Sequence, residues 1–437
     1  MPAVNLARYR PLLKELPRIK PVGRVRDVVG LVVEVSGINP FIGEVCYLAP
    51  LKGEPLAAEV VGFRRGYTLL MPLGELQGVN QGCPVYPSGE KFQICVGPNL
   101  LGKVFDGLGR PLDGTEAVLQ GEKVPVEADP PNPLSRRPVD EPLVTGIRAI
   151  DGLLTCGQGQ RVGIFSGSGV GKSTLLGMIA RNSEAEVNVI ALIGERGREV
   201  GDFLRYDLGE EGLRRSVVVV STSDRPALER VRGALVAMTI AEYFRAQGKK
   251  VILMMDSLTR LAMAQREIGL AVGEPPAAKG YTPSVFALLP RYLERSGTAG
   301  RGSITGFYTV LVDGDDLNDP IADAVRGILD GHFVLSRRIA AQNHYPAIDI
   351  LQSNSRLMPR LADAKHQQAA GEVRNLLSIY EEAEDLINVG AYKKGSNAAI
   401  DRAIERRQAI LEFLRQEAEK AYSWEETLTA LNSLLDS

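Results

Sequence analysis

A chain of 437 residues is longer than a single hydrophobic core usually supports, and 44% apolar with 24% charged residues is the balance of an ordinary folded protein. Lys+Arg 51 against Asp+Glu 53 leaves a formal net charge of −2, which excludes the broad basic face of a general nucleic-acid binder but not a basic channel inside a ring. No run of about 18 apolar residues marks a membrane span. The first residues lack the apolar core of a signal peptide, so a cytoplasmic location is expected.

In chain order, residues 1–21 come first. Leu6, Tyr9, Leu13 and Leu16 share one helical face among Arg8, Arg10, Lys14, Arg18 and Lys20, with Pro11 and Pro17 interrupting it. A solvated terminus and a segment that docks on a partner or an anionic membrane surface both stay open. Residues 22–95 read as short strands separated by Gly and Pro, for example residues 31–35, 58–62 and 67–71, which predicts a small β-barrel or sandwich.

A Pro-rich loop follows, with Pro130, Pro131, Pro133, Pro138 and Pro142. The rhythm then changes. Apolar runs too short for helices recur at residues 162–165, 187–193, 217–220, 251–255 and 307–312, with helix-compatible segments such as 225–247 between them. That alternation predicts an α/β domain with a mostly parallel sheet over residues 96–360. From 361 to 437 the strand signals stop, and Val373, Leu376, Leu377 and Tyr380 recur at the spacing of an amphipathic helix. Cys46, Cys83, Cys95 and Cys156 lack CxxC spacing, and His332, His344 and His366 are dispersed. Free, mostly buried thiols are expected rather than a metal cage.

Chemistry concentrates after the first of those apolar runs. Ser166-Gly167-Ser168-Gly169-Val170-Gly171-Lys172-Ser173 lies between a predicted strand and a predicted helix, the order a phosphate-binding loop requires. Ser166 stands where the usual pattern has Gly. The remaining glycines let backbone N–H groups turn toward phosphate oxygens, and the helix N-terminus adds a positive dipole end. Lys172 reaches the β- and γ-phosphates in this reading, and Ser173 holds Mg²⁺. The run at 251–255 ends in Asp256, a carboxylate placed to hold the water shell of that Mg²⁺, or alternatively a helix cap. Gly194-Glu195-Arg196-Gly197-Arg198-Glu199 follows the run ending at Ile193. On a strand neighbouring the phosphate loop this turn would offer Glu195 as a general base for water; elsewhere it is only a solvated turn.

With those residues set out, a resemblance becomes specific. Gly146-Ile147-Arg148-Ala149-Ile150-Asp151, the phosphate loop and the 194–199 turn resemble the catalytic subunits of rotary ATPases. Asp256-Ser257-Leu258-Thr259-Arg260, the stretch 273–286, Asp330-Gly331-His332 and Gly390-Ala391-Tyr392 narrow the resemblance to the type III export ATPases, the flagellar member more than the virulence-secretion member. It runs from about residue 22 to the C-terminus.

The resemblance implies an N-terminal β-barrel, a central RecA-like P-loop domain and a C-terminal helical domain, in a homo-hexamer with nucleotide at the subunit interfaces. It implies ATP hydrolysis that energises protein export, with ATP and Mg²⁺ bound by Ser168, Gly169, Val170, Gly171, Lys172, Ser173 and Thr174. Glu195 matches the catalytic glutamate, Arg196 a residue near the γ-phosphate, and Tyr345 a position that packs against adenine. Arg356, preceded by Ser353-Asn354-Ser355, matches the arginine finger that acts on a neighbouring subunit, although Asn354 stands where an aliphatic residue is usual.

Residues 390–397, with Lys393 and Lys394, match a loop that touches a central coiled-coil stalk. Further partners implied are a stator-like regulator at residues 1–21, the export gate, exported proteins and their chaperones, at the inner face of the inner membrane and without nucleic acid. Kept beside this reading are a virulence-type secretion ATPase, a rotary synthase catalytic subunit, a non-catalytic ring subunit and, from another class, a hexameric RNA translocase.

Overall fold

Alternation builds the first unit. In β2 (Val32–Ser36) Val33 and Val35 are fully buried, and in β1 (Gly23–Val29) Val25 is buried between exposed Arg24 and Arg26. With β3 (Glu44–Leu48), β4 (Leu56–Arg64), β5 (Tyr67–Pro72) and β6 (Pro84–Lys91), these strands close a barrel in the order β1-β2-β5-β4-β3-β6. The closure is β1 against β6, where Gly23 pairs with Val85. Register shifts in β1, β3 and β4 supply the local bends that a small barrel needs. Arg65 and Gly66 both take positive φ (52° and 82°) between β4 and β5, the geometry of a two-residue hairpin turn with the twist of the flanking strands. Val33, Val35, Leu48, Val60, Leu70 and Val85 fill the barrel. The sequence left barrel or sandwich open; the structure is a closed barrel.

The structure is a computed structural model and describes residues 21–114, 121–312 and 319–435. The expected docking segment 1–21 therefore lies almost wholly outside the described residues. Packing divides the chain after Phe92, and the second unit runs from Gln93.

That second unit opens with a ribbon of β7 (Gln93–Val96) and β9 (Glu122–Pro125). The Pro-rich stretch is loop, as expected, ending in β10 (Pro142–Leu143), which pairs with β11 (Cys156–Gly157). The main sheet consists of β8 (Lys103–Asp106), β12 (Arg161–Ser166), β13 (Val187–Ile193), β14 (Ser216–Ser221), β15 (Lys250–Asp256), β17 (Gly302–Leu311), β18 (Gly331–Leu335) and β19 (Ile348–Ser355), with short β16 (Gly297–Ala299) hairpinned onto β17. Its order is β19-β18-β12-β17-β15-β13-β14-β8, parallel except for β19. β13 and β14 are buried along their whole length, as strands covered on both faces must be, which explains their unbroken apolar runs.

Helices Lys172–Asn182, Ala227–Ala246, Leu258–Val272 and Pro283–Leu293 accompany the sheet. The helical region follows as Ala364–Asn388, Ala398–Leu414 and Trp424–Ser433. Each starts on a side-chain cap: Asp363 accepts from His366 N, Asn397 from Ala399 N, and Ser423 with Glu426 forms a capping box. Val373, Leu376, Phe413 and Leu431 share one continuous core with Ile150, Ile164 and Phe333. The four cysteines are free, three buried and Cys95 half-buried. Among the described residues no helix is long and apolar enough to cross a membrane.

Candidate active site

The parallel sheet aims its chemistry at one edge, because the carboxyl ends of β12, β13 and β15 all open there. β12 ends at Ser166, whose hydroxyl is buried without a hydrogen-bond partner. The loop then turns with positive φ at Gly169 (77°) and Gly171 (86°) into the Lys172–Asn182 helix. Gly167 lies close under another side chain: a Cβ there would come 2.5 Å from the Arg337 guanidinium, which would have to move aside. Val170 buries its side chain in the core.

Lys172 Nζ lies 2.5 Å from Asp256 Oδ1 and 3.7 Å from Glu195 Oε1. Burial pulls the lysine pKa down, but the Asp256 and Glu195 charges outweigh it and hold the ammonium above its ordinary value. Thr309, buried on β17, places its hydroxyl 2.7 Å from the same Asp256 oxygen. Glu195 Oε1 is buried with no hydrogen-bond partner. Its carboxyl is pushed up to about 7, by burial first and by the Asp256 charge and a Glu199 hydrogen bond, against Lys172 and Arg260. A cleft of about 420 Å³ is lined by Lys172, Ser173, Glu195, Arg196, Asp256 and Arg260, among others.

The Glu195 turn is not on a strand adjoining the phosphate loop, as the sequence reading supposed. β17 and β15 stand between β12 and β13, and the gap closes because Lys172 reaches Asp256 at the end of β15, where the Glu195 side chain comes within 3.7 Å of the same lysine. Arg196 lines the cleft yet leaves its side chain 80% exposed, 3.5 Å from Glu199.

A second cleft of about 480 Å³ shares Gly169, Gly171 and Thr174 with the first. It is walled by Tyr345, Met178, Gln416 and Ala418. The Tyr345 ring packs over Gly171, where an added Cβ would sit 3.3 Å from ring carbons. Gln416 anchors this wall. Its N–H donates to Tyr345 O (2.9 Å), its amide donates to Gly146 O (2.7 Å), and its Oε1 accepts from Arg148 N (3.0 Å). Arg148 in turn lies 4.3 Å from the Tyr422 ring centroid. The Gly146–Asp151 motif thus reaches the cleft through the C-terminal helical region.

Arg356 is not brought into either cleft. Ser355 pairs with Gly331 at the start of β18, whereas Ser166 pairs with Leu335 at its end. At about 3.3 Å per residue the two ends of β18 are roughly 13 Å apart. Arg356 is exposed there and donates to Arg326 O (3.3 Å).

Sequence reasoning missed Arg260, Thr309, Arg337 and Gln416. Arg260 alone carried a signal, since it lies four residues past Asp256 at the start of a helix and so beside the site. Its Nε is buried without a partner.

Comparison with known proteins agrees along the whole chain. Residues 146–355 match the nucleotide-binding domain of the ATP synthase alpha/beta family, residues 25–89 match that family's beta-barrel domain, and residues 362–433 match the C-terminal domain of the EscN ATPase of type III secretion. The chain is 54% identical over 417 residues to the flagellum-specific ATP synthase of Bacillus subtilis, covering 95% of each chain. It is also 54% identical over 415 residues to the type 3 secretion system ATPase of Xanthomonas euvesicatoria, covering 95% of this chain and 94% of the relative. Among solved structures, the assembled ATPase EscN of enteropathogenic E. coli, in complex with its central stalk EscO, superposes with a TM-score of 0.87 at 46% identity. That likeness covers 94% of this chain and 99% of the other.

Proposed function

This chain is an ATP-hydrolysing P-loop enzyme of the ATP synthase alpha/beta family, in its branch of flagellum-specific and type III secretion ATPases, and on that premise we propose how its residues do the work. The observation that carries the proposal is the convergence of Lys172, Glu195 and Asp256 within one ion-paired cluster at the sheet edge.

Backbone N–H groups of residues 168–174 cradle the phosphates, with the helix dipole behind them. Lys172, kept charged by its two carboxylates, leans from Asp256 onto the β- and γ-oxygens. The hard oxygen donors of Ser173 and Asp256 suit Mg²⁺ and would hold it, Asp256 through its water shell, with Lys172 and Thr309 fixing the Asp256 carboxylate through Oδ1. Mg²⁺, when bound, neutralises charge on the β- and γ-phosphates. Glu195, near neutral pKa and with Oε1 unsatisfied, orients the attacking water and takes its proton. Arg196 and Arg260 meet the γ-phosphate charge. Tyr345 stacks on the base in the second cleft.

Arg356 faces away from its own site, which suits a finger that completes a neighbour's site in a hexameric ring. Residues 390–397 touch a central coiled-coil stalk. The ring works at the cytoplasmic face of the inner-membrane export apparatus, receiving exported proteins and chaperones, with residues 1–21 binding a stator-like regulator or an anionic membrane surface.

We assign it to flagellar export on the stretch 273–286. The equal identity to a virulence ATPase keeps that system as the second reading. Complementation separates them: the gene is expressed in strains lacking their flagellar or their virulence export ATPase. Restored flagellar export without effector secretion supports the assignment, and the reverse pattern overturns it.

A further inference from the structure

The amide of Gln160 is fully buried at the end of the sheet opposite the phosphate loop. It directly precedes β12, the strand that runs on to Ser166 and the phosphate-binding loop. Its Oε1 accepts from Gly157 N at 2.8 Å. Its Nε2 donates both to Asp330 O and to Ser355 Oγ, each at 3.1 Å. Ser355 passes the contact on by donating to Thr155 O at 2.7 Å. The Asp330 carbonyl that Gln160 holds is the one that accepts the Arg356 backbone N–H at 3.0 Å. Around it, Arg161 at the start of β12 grips the Asp330 carboxylate at 3.0 Å.

We propose that Gln160 is a positioning residue for Arg356, fixing the backbone from which the arginine finger projects to a neighbouring subunit. This role rests on Arg356 acting as a finger in trans. Arg356 itself is exposed, and within its own chain its direction is set by its backbone and by one long hydrogen bond of its guanidinium to Arg326 O at 3.3 Å. Beside the pairing of Ser355 with Gly331, two anchors of the Ser355–Arg356 step, the Ser355 hydroxyl and the Asp330 carbonyl that accepts from Arg356 N, are both held by the one Nε2 group. A leucine at 160 fills similar volume but leaves Gly157 N without its acceptor and frees that step to shift. A displacement of about 1 Å at a reacting group can lower the rate about 10²-fold.

A purely structural role predicts something different. Damage to β12 would weaken the chain's own phosphate loop, raising KM for ATP in the subunit that carries the change. Loss of finger aim lowers kcat at the neighbour and leaves nucleotide binding by the mutated subunit untouched.

The test uses doubly tagged mixed assemblies of the full chain, purified through both tags so that every ring contains two kinds of subunit. Gln160→Leu or Gln160→Glu, each with its own site intact, is paired with Lys172→Ala, which has a dead site and an intact finger. Arg356→Ala paired with Lys172→Ala is the control. In a random ring about a quarter of the interfaces join a competent site to a competent finger, because the contacts are head to tail.

We expect each Gln160 variant alone to lose about 10²-fold in kcat with KM for ATP unchanged. In the mixed rings activity should return to roughly the level of the Arg356→Ala control. If the control recovers and both Gln160 mixtures do not, the positioning role is wrong while the finger stands. If the control fails to recover, the finger reading falls and this inference with it. A Gln160 variant that keeps full kcat, or raises KM instead, also overturns it. Gln160→Glu keeps an oxygen for Gly157 N and sets a second oxygen against the Asp330 carbonyl in place of the donor, so it decides the case should Gln160→Leu fail to fold.

Discussion

Lys172 and Asp256 meet at 2.5 Å, Nζ to Oδ1, the lysine from the first turn of a helix and the aspartate from the last residue of β15. The carboxylate helps keep the buried lysine charged, and the pair is the pivot of the cleft. Lys172→Ala should therefore lower turnover by at least about 10³-fold. The fold should survive, because the Glu195 carboxyl, left without its cation, can take up a proton. Phosphate release together with a cooperative thermal melt checks both halves. Asp256→Asn should instead raise the Mg²⁺ concentration for half-maximal activity, since the uncharged amide holds a metal-bound water less well. An unchanged Mg²⁺ titration would remove Asp256 from that role.

Glu195 sets the acid limb of the rate profile. Its carboxyl is raised to about 7, chiefly by burial, and only the ionised form can accept a proton from water. Activity should rise through about pH 7 and fall about tenfold per unit below it. Glu199 contributes a hydrogen bond that favours the protonated form, so Glu199→Gln should move the limb to lower pH. The stability sign is opposite to the usual carboxylate case. The folded state holds a proton that the unfolded chain releases above its ordinary 4.5, so this group's contribution to stability declines from there up to about pH 7. Glu195→Gln should abolish turnover and flatten that part of the melting profile.

How much of this was readable beforehand follows from where each group sits. Lys172, Glu195 and Asp256 stand at or just beyond the ends of unbroken apolar strands, so a run of Val, Ile and Leu pointed straight at them. β18 and β19 escaped because Gly331 and His332 leave the first an apolar run of only three residues, and the second alternates buried and exposed positions near its end, which breaks the run. β8 is a four-residue edge strand beginning with Lys103. The strand order was equally hidden: that β17 and β15 separate β12 from β13 is a matter of crossover topology, which no local pattern encodes. Gln416 and Arg337 lie far along the chain from Tyr345 and Gly167, and only tertiary packing joins them.

Arg356 should behave as a group supplied by another subunit. Specific activity of the wild type should rise with protein concentration as rings assemble, whereas Arg356→Ala should stay flat and lower by about 10³-fold or more. Its distance from the Lys172 cleft across the length of β18 makes action within one chain implausible on geometry alone. Steady-state ATPase rate measured over a wide concentration range decides it. A concentration-independent rate with an unaffected variant would mean that the sites are complete within each chain.

Tyr345 tests the second cleft. Its ring lies over Gly171 and remains 42% exposed, so a flat face is available beside the phosphate loop. Stacking of a base on such a face is worth about 1–3 kcal/mol, which predicts that Tyr345→Ala raises KM for ATP by roughly tenfold or more. Tyr345→Phe keeps the face and should keep the KM, because the hydroxyl takes no part in stacking. Gly171→Ala presses on the same contact from below: φ is 86° and the new Cβ would come within 3.3 Å of the ring, so loop and ring must both shift. Its effect should combine a raised KM with a reduced kcat, since Gly171 leads directly into Lys172. Should Tyr345→Ala and Tyr345→Phe give the same KM as the wild type, the base does not stack on Tyr345, and the second cleft must bind it by Gln416 and the backbone of 416–418 instead.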